Sequence, residues 1–368
     1  MAVIHSADEE YMRLCFELAR RGIGHVSPNP MVGAVLVVGS RVVASGYHKR
    51  FGGPHAEVEC LSSYRGDASR GTLYVNLEPC SHYGKTPPCV DLILQRGIRS
   101  VVIAMKDPNP LVCGKGIRKL RRAGVRVQVG VLRREAEELN RFFVKHITSG
   151  YPYVHVKIAQ TADGFIAPPL KGKRYITSRD SLVLVHRWRA EYDAVLVGAN
   201  TVKTDNPRLD VRLVEGRDPV VVILDGRFSL SGNERVFSSA RRRNVIVCVS
   251  DTAYRNQRRK VERLEARGIV VLRFGASANK IPLKRVLDSL HKHNIGSVLV
   301  EGGREVFSQF IEQKLVDELS IFVAPTKFGE GIKALNTAAQ RKVDRWMREG
   351  AFVQRPVGAD FLYTGRMS

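Results

Sequence analysis

At 368 residues, 44% hydrophobic and 26% charged, the chain has the composition of a globular protein with room for two cores, which excludes disorder as the default. Its six cysteines, irregularly spaced and without a secretory leader, point to thiols rather than a disulfide framework and so remain open to a metal. A formal net charge of +23 suggests a polyanionic partner, but 22 basic against 13 acidic side chains up to Lys145, and 37 against 23 beyond it, spread the excess over both halves; the clusters at 115–126, 241–243 and 255–260 lack interleaved aromatics and read as solvated faces that favour small anionic substrates.

The chain opens on a capping box, Ser6 with Glu9, ahead of Tyr11, Leu14, Cys15 and Leu18 on one helical face. Asp8, Glu9 and Glu10 stand where a signal peptide would need basic charge, and no stretch reaches the apolar length of a membrane span. A cytoplasmic location with no membrane partner is therefore expected. Strands at 33–38 and 41–45 follow, joined by a turn at Gly39 and Ser40. Alternation then sets in: a helix from about His55, a strand at 72–77, a helix at 88–95, a strand at 100–105, a helix at 116–123, a strand at 125–129 and a helix at 133–146. This predicts an α/β domain over residues 1–147, with helices on both faces of a largely parallel or mixed sheet.

Four residues of that first half form a metal constellation. GGPHAEVEC puts His55 and Glu57 in the first turn of a helix, and NLEPCSHYGKTPPC puts Cys80 after a buried strand and Cys89 at a helix start. A helix N-terminus favours the thiolate at Cys89 that zinc requires. One imidazole and two thiolates leave a tetrahedral zinc one position for water, whose pKa the metal lowers to about 7. Glu57, too close to His55 along the chain to ligate readily itself, is placed to move that water's proton to a departing amine. His-x-Glu with a later Pro-Cys pair is the pattern of zinc deaminases acting on cytosine or adenine rings. A closed structural site with His82 as fourth ligand is the competing reading, and it would leave Glu57 without a task. Eight residues separate Cys80 from Cys89, against the two of Cys-x-x-Cys, so SHYGKTPP forms a wide loop whose His82 and Lys85 could meet a phosphate or a ring edge.

Past residue 147 the alternation restarts. Strands are expected at 153–159, 194–198, 219–225, 244–249, 269–274, 297–301 and 319–323, with helices near 179–191, 255–267, 283–293 and 306–313. The result is a second α/β domain over 148–368. It lacks the G-x-G-x-x-G fingerprint, since Lys119 stands at the third glycine of the pattern begun by Gly114 and Gly116. A dinucleotide would instead meet the turn at Gly302 and Gly303, where a buried strand runs into a helix and backbone amides can cradle a phosphate.

PNPMVGAV, GYHKRFGGPHAE, EPCSHYGKTPPC and KDPNP in the first half, then AQTADGFIA, YITS, RAEYDAVLVGANTVKTDNPRLDVR and VEGG in the second, resemble in order the bifunctional riboflavin-biosynthesis deaminase-reductase family. The resemblance implies a cytidine-deaminase-like three-layer α/β/α domain followed by a dihydrofolate-reductase-like α/β domain. It also implies zinc-dependent hydrolytic deamination of 2,5-diamino-6-(5-phosphoribosylamino)pyrimidin-4-one, then NADPH-dependent reduction of the ribosyl group to ribityl. By carry-over Asn29, His48 and His82 line the deaminase pocket. Ala159, Tyr175, Thr201, Asp205 and the run Gly303, Arg304, Glu305, Val306, Phe307, Ser308 and Gln309 face NADPH. Lys173, Arg189, Leu209, Arg212 and Glu301 face the reductase substrate, with Arg189 and Arg212 as phosphate clamps. Met31, Ala34, Lys173, Tyr175 and Gly226 depart from the residues expected at their positions. The expected partner is a phosphorylated pyrimidine rather than nucleic acid, for a homo-oligomeric enzyme; a base deaminase gripping RNA through its second domain is the alternative.

Overall fold

The computed structural model describes residues 6–83, 87–110, 112–168, 176–275 and 281–367. The chain divides into two compact units, Met1–Gly150 and Tyr151–Ser368. Among the described residues no helix is long and apolar enough to cross a membrane.

The first unit runs α1 (Ala7–Arg20), β1 (Gly33–Val38), β2 (Arg41–Tyr47), α2 (Ala56–Ser62), β3 (Gly71–Leu77), α3 (Cys89–Gln95), β4 (Ser100–Met105), α4 (Lys115–Arg122), β5 (Arg126–Val129), α5 (Arg133–Leu139) and α6 (Arg141–Ser149). Ser6 caps α1 by accepting from the Glu9 backbone, and Asp8, Glu9 and Glu10 place negative charge against the positive end of the helix. The sheet order is β2-β1-β3-β4-β5. β1 is antiparallel to both neighbours, whereas β3, β4 and β5 are parallel. β1, β3 and β4 are central, which is why GAVLVV and SVVIAM read as unbroken apolar runs. α1 and α5 pack together over β1, β3 and β4, while α2 lies on β1 and β2 and joins α3 and α4.

The helix expected at 133–146 is two helices. Asn140 interrupts it with φ −101°, because its side chain is committed elsewhere: Oδ1 accepts from Met31 N at 2.8 Å and Nδ2 donates to Met31 O at 3.0 Å.

The second unit contains β6 (Tyr153–Thr161), β7 (Phe165–Ala167), α7 (Arg179–Glu191), β8 (Ala194–Gly198), α8 (Ala199–Asp205), β9 (Val220–Leu224), β10 (Val245–Ser250), α9 (Asp251–Asn256), α10 (Arg258–Glu265) and β11 (Ile269–Phe274). It continues with α11 (Leu283–Lys292), β12 (Ser297–Gly302), α12 (Arg304–Glu312), β13 (Glu318–Ala324), β14 (Ile332–Lys333), α13 (Thr337–Arg348), β15 (Phe352–Val357) and β16 (Asp360–Arg366). Nine strands form one sheet in the order β11-β10-β9-β8-β12-β6-β13-β16-β15. β11 through β13 are parallel, and the β15-β16 hairpin adds an antiparallel edge. Apolar clusters lie around Leu196, Val298 and Phe310 and around Val195, Val221 and Val247. The alternating inward residues of β8 thus serve both faces of the sheet.

Two departures from expectation have local causes. The helix at 255–267 is split into α9 and α10 at Gln257 (φ −120°, ψ 39°), whose Nε2 donates to Arg227 O at 3.2 Å. β15 and β16 carry no legible apolar run: the β15 residues 353–356 are exposed on the sheet edge, where pairing rather than burial defines the strand.

Candidate active sites

In the first unit the three candidate ligands converge from three elements. His55 immediately precedes α2, Cys80 follows β3 and Cys89 opens α3. His55 Nδ1 lies 3.3 Å from Cys89 Sγ and 3.5 Å from Cys80 Sγ, and all three donor atoms fall within 4.8 Å of one another. With bond lengths of about 2.1 Å to nitrogen and about 2.3 Å to sulfur, a tetrahedral zinc spaces N and S about 3.6 Å apart, so these separations fit the edges of such a centre. Among the described residues this is the one cluster of its kind, and His82, exposed on the loop, is not part of it. The geometry therefore does not supply the fourth ligand of a closed structural site.

The helix terminus acts differently from the sequence expectation. Cys89 N donates to Cys80 Sγ at 3.3 Å, so the first amide of α3 serves the neighbouring sulfur. The hydrogen bond from Cys89 holds the Cys80 thiol well below its ordinary value and burial opposes it, while the same pairing pushes Cys89 up. Loading a metal releases whatever proton the sulfur pair still shares.

Glu57 lies in the first turn of α2, 3% exposed. Burial pushes its carboxyl up to about 7, with Cys80 acting in the same direction. His48 and Asn29 meet each other beside the triad. Nδ1 of His48 is 2.8 Å from Pro54 O, its Nε2 is 3.1 Å from Asn29 Nδ2, and its ring stands edge-on to that of His55 at 5.8 Å. Because Pro54 O only accepts, His48 carries its proton on Nδ1 and accepts from the Asn29 amide at Nε2. Burial lowers the His48 pKa, which favours this neutral form.

Buried polar groups that sequence reasoning missed hold this site. Asn76, 0% exposed, accepts from Gly33 N at 2.8 Å and donates to Met31 O at 2.9 Å, so it and Asn140 grip the 28–33 segment together. Glu78 accepts four backbone N–H groups. The available signal was a polar residue inside an apolar strand run, LYVNLEP.

In the second unit a cavity of about 580 Å³ opens at the carboxyl ends of β8, β9 and β12, the usual place for a ligand in a parallel sheet. Of the candidate cofactor residues it is lined by Thr201 and Asp205 of α8 and by Gly303, Arg304, Glu305, Val306 and Gln309. Gly303 has φ +120°, and a Cβ there would lie 2.9 Å from Thr201 Oγ1. Only glycine therefore lets α8 and α12 approach at this turn. Phe307 and Ser308 turn away: Phe307 is in the core, and Ser308 Oγ accepts from Asn336 N at 3.0 Å. Helical periodicity prevents a run of seven residues from sharing one wall. Ala159 packs with Val185 and Phe322 and does not line the cavity. Tyr175 and Lys173, like Lys85, lie outside the described residues.

Two of the candidate substrate residues of this unit, Arg189 and Glu301, form an ionic cluster. Arg189 Nε and Nη2 grip both oxygens of Glu301 at 2.6 and 2.8 Å, and its Nη1 donates to Asp210 O at 3.1 Å. Lys157, unforeseen, sits 3.5 Å from Glu301 Oε2. Burial opposes ionisation of Glu301, but Arg189 and Lys157 together hold it down at about 2. Arg189 thus answers a protein carboxylate with donors that the sequence reading expected to meet a phosphate. Arg212 remains exposed and pairs with Asp210, while its backbone N–H donates to His186 Nδ1 at 3.1 Å. Burial, then Arg189 and Arg212, hold His186 down at about 4. The Leu209 side chain is in the core, so only its backbone faces outward chemistry. Its carbonyl accepts from Arg243 Nη1 at 2.6 Å, and the Arg208 carbonyl accepts from Nη2. Arg243 is 8% exposed, which overturns the solvated reading of the 241–243 cluster at that position.

Comparison with known proteins follows the same division. The family described as cytidine and deoxycytidylate deaminase zinc-binding region matches residues 5–105, and the RibD C-terminal domain family matches residues 152–346. The riboflavin biosynthesis protein RibD of Aquifex aeolicus is 40% identical over 331 residues, 90% of each chain. Its counterpart from Bacillus amyloliquefaciens is 42% identical over 323 residues, 88% of this chain and 85% of that protein. Among solved structures, a diaminohydroxyphosphoribosylaminopyrimidine deaminase/5-amino-6-(5-phosphoribosylamino)uracil reductase from Thermotoga maritima superimposes with a TM-score of 0.83 at 38% identity, covering 98% of this chain and 99% of that one.

Proposed function

This chain belongs to the RibD family of riboflavin-biosynthesis proteins, and from that premise we propose how its residues divide the work of a bifunctional deaminase-reductase. The cofactors are zinc and NADPH. In this reading residues 1–147 deaminate 2,5-diamino-6-(5-phosphoribosylamino)pyrimidin-4-one and residues 148–368 reduce the product. The observation that carries it is the triad of donor atoms at zinc-edge separations beside a buried glutamate.

His55 Nδ1, Cys80 and Cys89 would hold zinc, which when bound would supply the Lewis acidity that brings a water's pKa to about 7. Glu57, buried beside the triad, takes a proton from the attacking water and returns it to the leaving nitrogen, so that an amine is exchanged for a ring carbonyl and ammonia departs. His48 fixes the Asn29 amide so that its Oδ1 end is offered to an N–H of the pyrimidine. His82 stands on the adjoining loop as a further contact.

In the second unit the cavity beside Gly303 and the first turn of α12 receives NADPH, with Thr201 and Asp205 on the facing wall. Bound there, NADPH would supply the hydride that, with a proton, takes the ribosyl group to ribityl. Arg212, the exposed arginine, meets the substrate phosphate. Arg189 and Lys157 keep Glu301 ionised and oriented toward the sugar. The reading extends to a cytoplasmic, homo-oligomeric enzyme that needs no nucleic acid. The part of it that needs no nucleic acid is supported by the spread of the basic charge over both halves, and sedimentation with and without RNA at low salt tests it.

The deciding experiment incubates the zinc-loaded protein with the pyrimidinone phosphate and identifies products by mass. Without NADPH the aminouracil accumulates with ammonia, and with NADPH the ribityl compound replaces it. Unchanged substrate in both incubations rejects the assignment.

A further inference from the structure

We propose that Glu78 is a positioning residue of the deaminase site, which sets the Cys80 sulfur by gripping the first turn of α4. The proposal rests on the reading that His55, Cys80 and Cys89 hold zinc. Glu78 is 3% exposed and lies between the end of β3 and Cys80. Its Oε2 accepts from Gly114 N at 2.8 Å and Asp107 N at 3.3 Å, and its Oε1 accepts from Gly116 N at 2.9 Å and Ile117 N at 3.2 Å. Four donors fill the acceptor sites of one carboxylate.

α4 has no cap of its own. Gly114 precedes it without a side-chain bond to the helix, and the first amides of a helix need an acceptor. Glu78 provides it from another element, with its negative charge at the positive helix end. The two segments also touch directly: a Cβ on Gly116 would lie 2.2 Å from Pro79 O. On the opposite side Cys80 is held by α3, through Cys89 N to its Sγ at 3.3 Å and Val90 N to its carbonyl at 3.2 Å. The Glu78-Pro79-Cys80 turn is therefore clamped between the starts of two helices, and the sulfur sits where the clamps balance. A glutamine at 78 offers one acceptor oxygen and turns an NH2 group toward backbone donors, which loosens one clamp only. Metal sites tolerate about 0.5 Å of such drift before they fail.

The test is Glu78→Gln in the full chain, read by zinc affinity in chelator competition, by the absorption of the cobalt-substituted protein, and by the kcat and KM of deamination. Zinc affinity is expected to fall about 10–100-fold, the thiolate-to-cobalt bands to shift, and kcat to fall with KM little changed, while reduction is unaffected. Gly116→Ala presses on Pro79 O and on the Glu78 side chain from the α4 side and is expected to weaken zinc in the same way. A folded Glu78→Gln protein with wild-type zinc affinity and cobalt spectrum, altered only in its unfolding midpoint, overturns the proposal. Should that variant fail to fold, Gly116→Ala decides: wild-type affinity overturns it and weakened affinity supports it. Failure of the wild-type chain to bind zinc refutes the underlying metal reading instead.

Discussion

Each unit has a buried glutamate assigned to its chemistry, Glu57 in the first and Glu301 in the second, and the two are set oppositely. Glu57 is surrounded by burial and a neighbouring sulfur, so its carboxyl is pushed up to about 7. Glu301 is equally withdrawn from solvent, yet a bidentate guanidinium and an ammonium hold it at about 2. Desolvation disfavours the charged form in both, and only the second has cations close enough to win. The carboxylate assigned to pass protons has the His55 ring set against its burial, and the one assigned to hold fixed charge has a guanidinium and an ammonium.

Glu57→Gln gives the largest expected effect. Loss of a positioned proton carrier costs about 10²–10⁴-fold in rate, so ammonia release should nearly vanish while zinc stays near one per chain. Loss of zinc instead would make Glu57 a ligand and erase the contrast with Glu301. Arg189→Ala breaks the other half. It leaves Glu301 with Lys157 alone, and breaking a buried pair costs about 3–5 kcal/mol. The second unit should unfold earlier and lose reduction, with deamination spared. Its acid response gives the sign: a depressed carboxylate contributes stability above its unfolded value of 4.5 that is lost as pH falls through about 2. In Arg189→Ala that loss should begin at higher pH. Equal damage to both activities would count against separate sites.

The same contrast explains what could be read before folding. His55, Glu57, Cys80 and Cys89 are rare residue types in fixed local order, and zinc chemistry restricts what such an order means. Arg189 and Glu301 drew attention only through resemblance, since arginines are everywhere in a chain of charge +23. Their pairing joins α7 to β12 across 112 positions. Lys157 lies inside an ordinary strand, and no local pattern distinguishes it. Asn76, Glu78 and Asn140 act on backbone groups that no side-chain motif records. The main strands of both sheets were legible because burial demands apolar runs. Helices interrupted at Asn140 and Gln257 were not, because a tertiary hydrogen bond makes each break.

Arg243 sharpens the comparison by one further step. Among the described residues it is a buried cation with no carboxylate in hydrogen-bond contact, answered by the carbonyls of Arg208 and Leu209 and by Ser239 Oγ, with Asp218 and Asp210 acting on it from farther off. Arg243→Met should cost about 1–3 kcal/mol for each carbonyl left without a donor. Since those carbonyls belong to the segment that carries Asp210 and Arg212, the KM for the reductase substrate should rise while NADPH affinity holds. Unchanged KM in a destabilised protein would leave Arg243 a purely structural tie.

Arg212 is where the two kinds of charge part company. Its pairing with Asp210 is exposed, with 39% of the arginine side chain open to solvent, and such pairs contribute about 0–1 kcal/mol. Arg212→Ala should therefore barely move the unfolding midpoint. A phosphate is a different partner, because it arrives with its own charge and gains from any cation held ready for it. If Arg212 meets the substrate phosphate, the same substitution raises KM for reduction, an added salt screen narrows the gap between variant and wild type, and Arg212→Lys restores part of the loss as a point charge without the planar fork. An unmoved midpoint together with an unmoved KM would place the phosphate elsewhere in the unit.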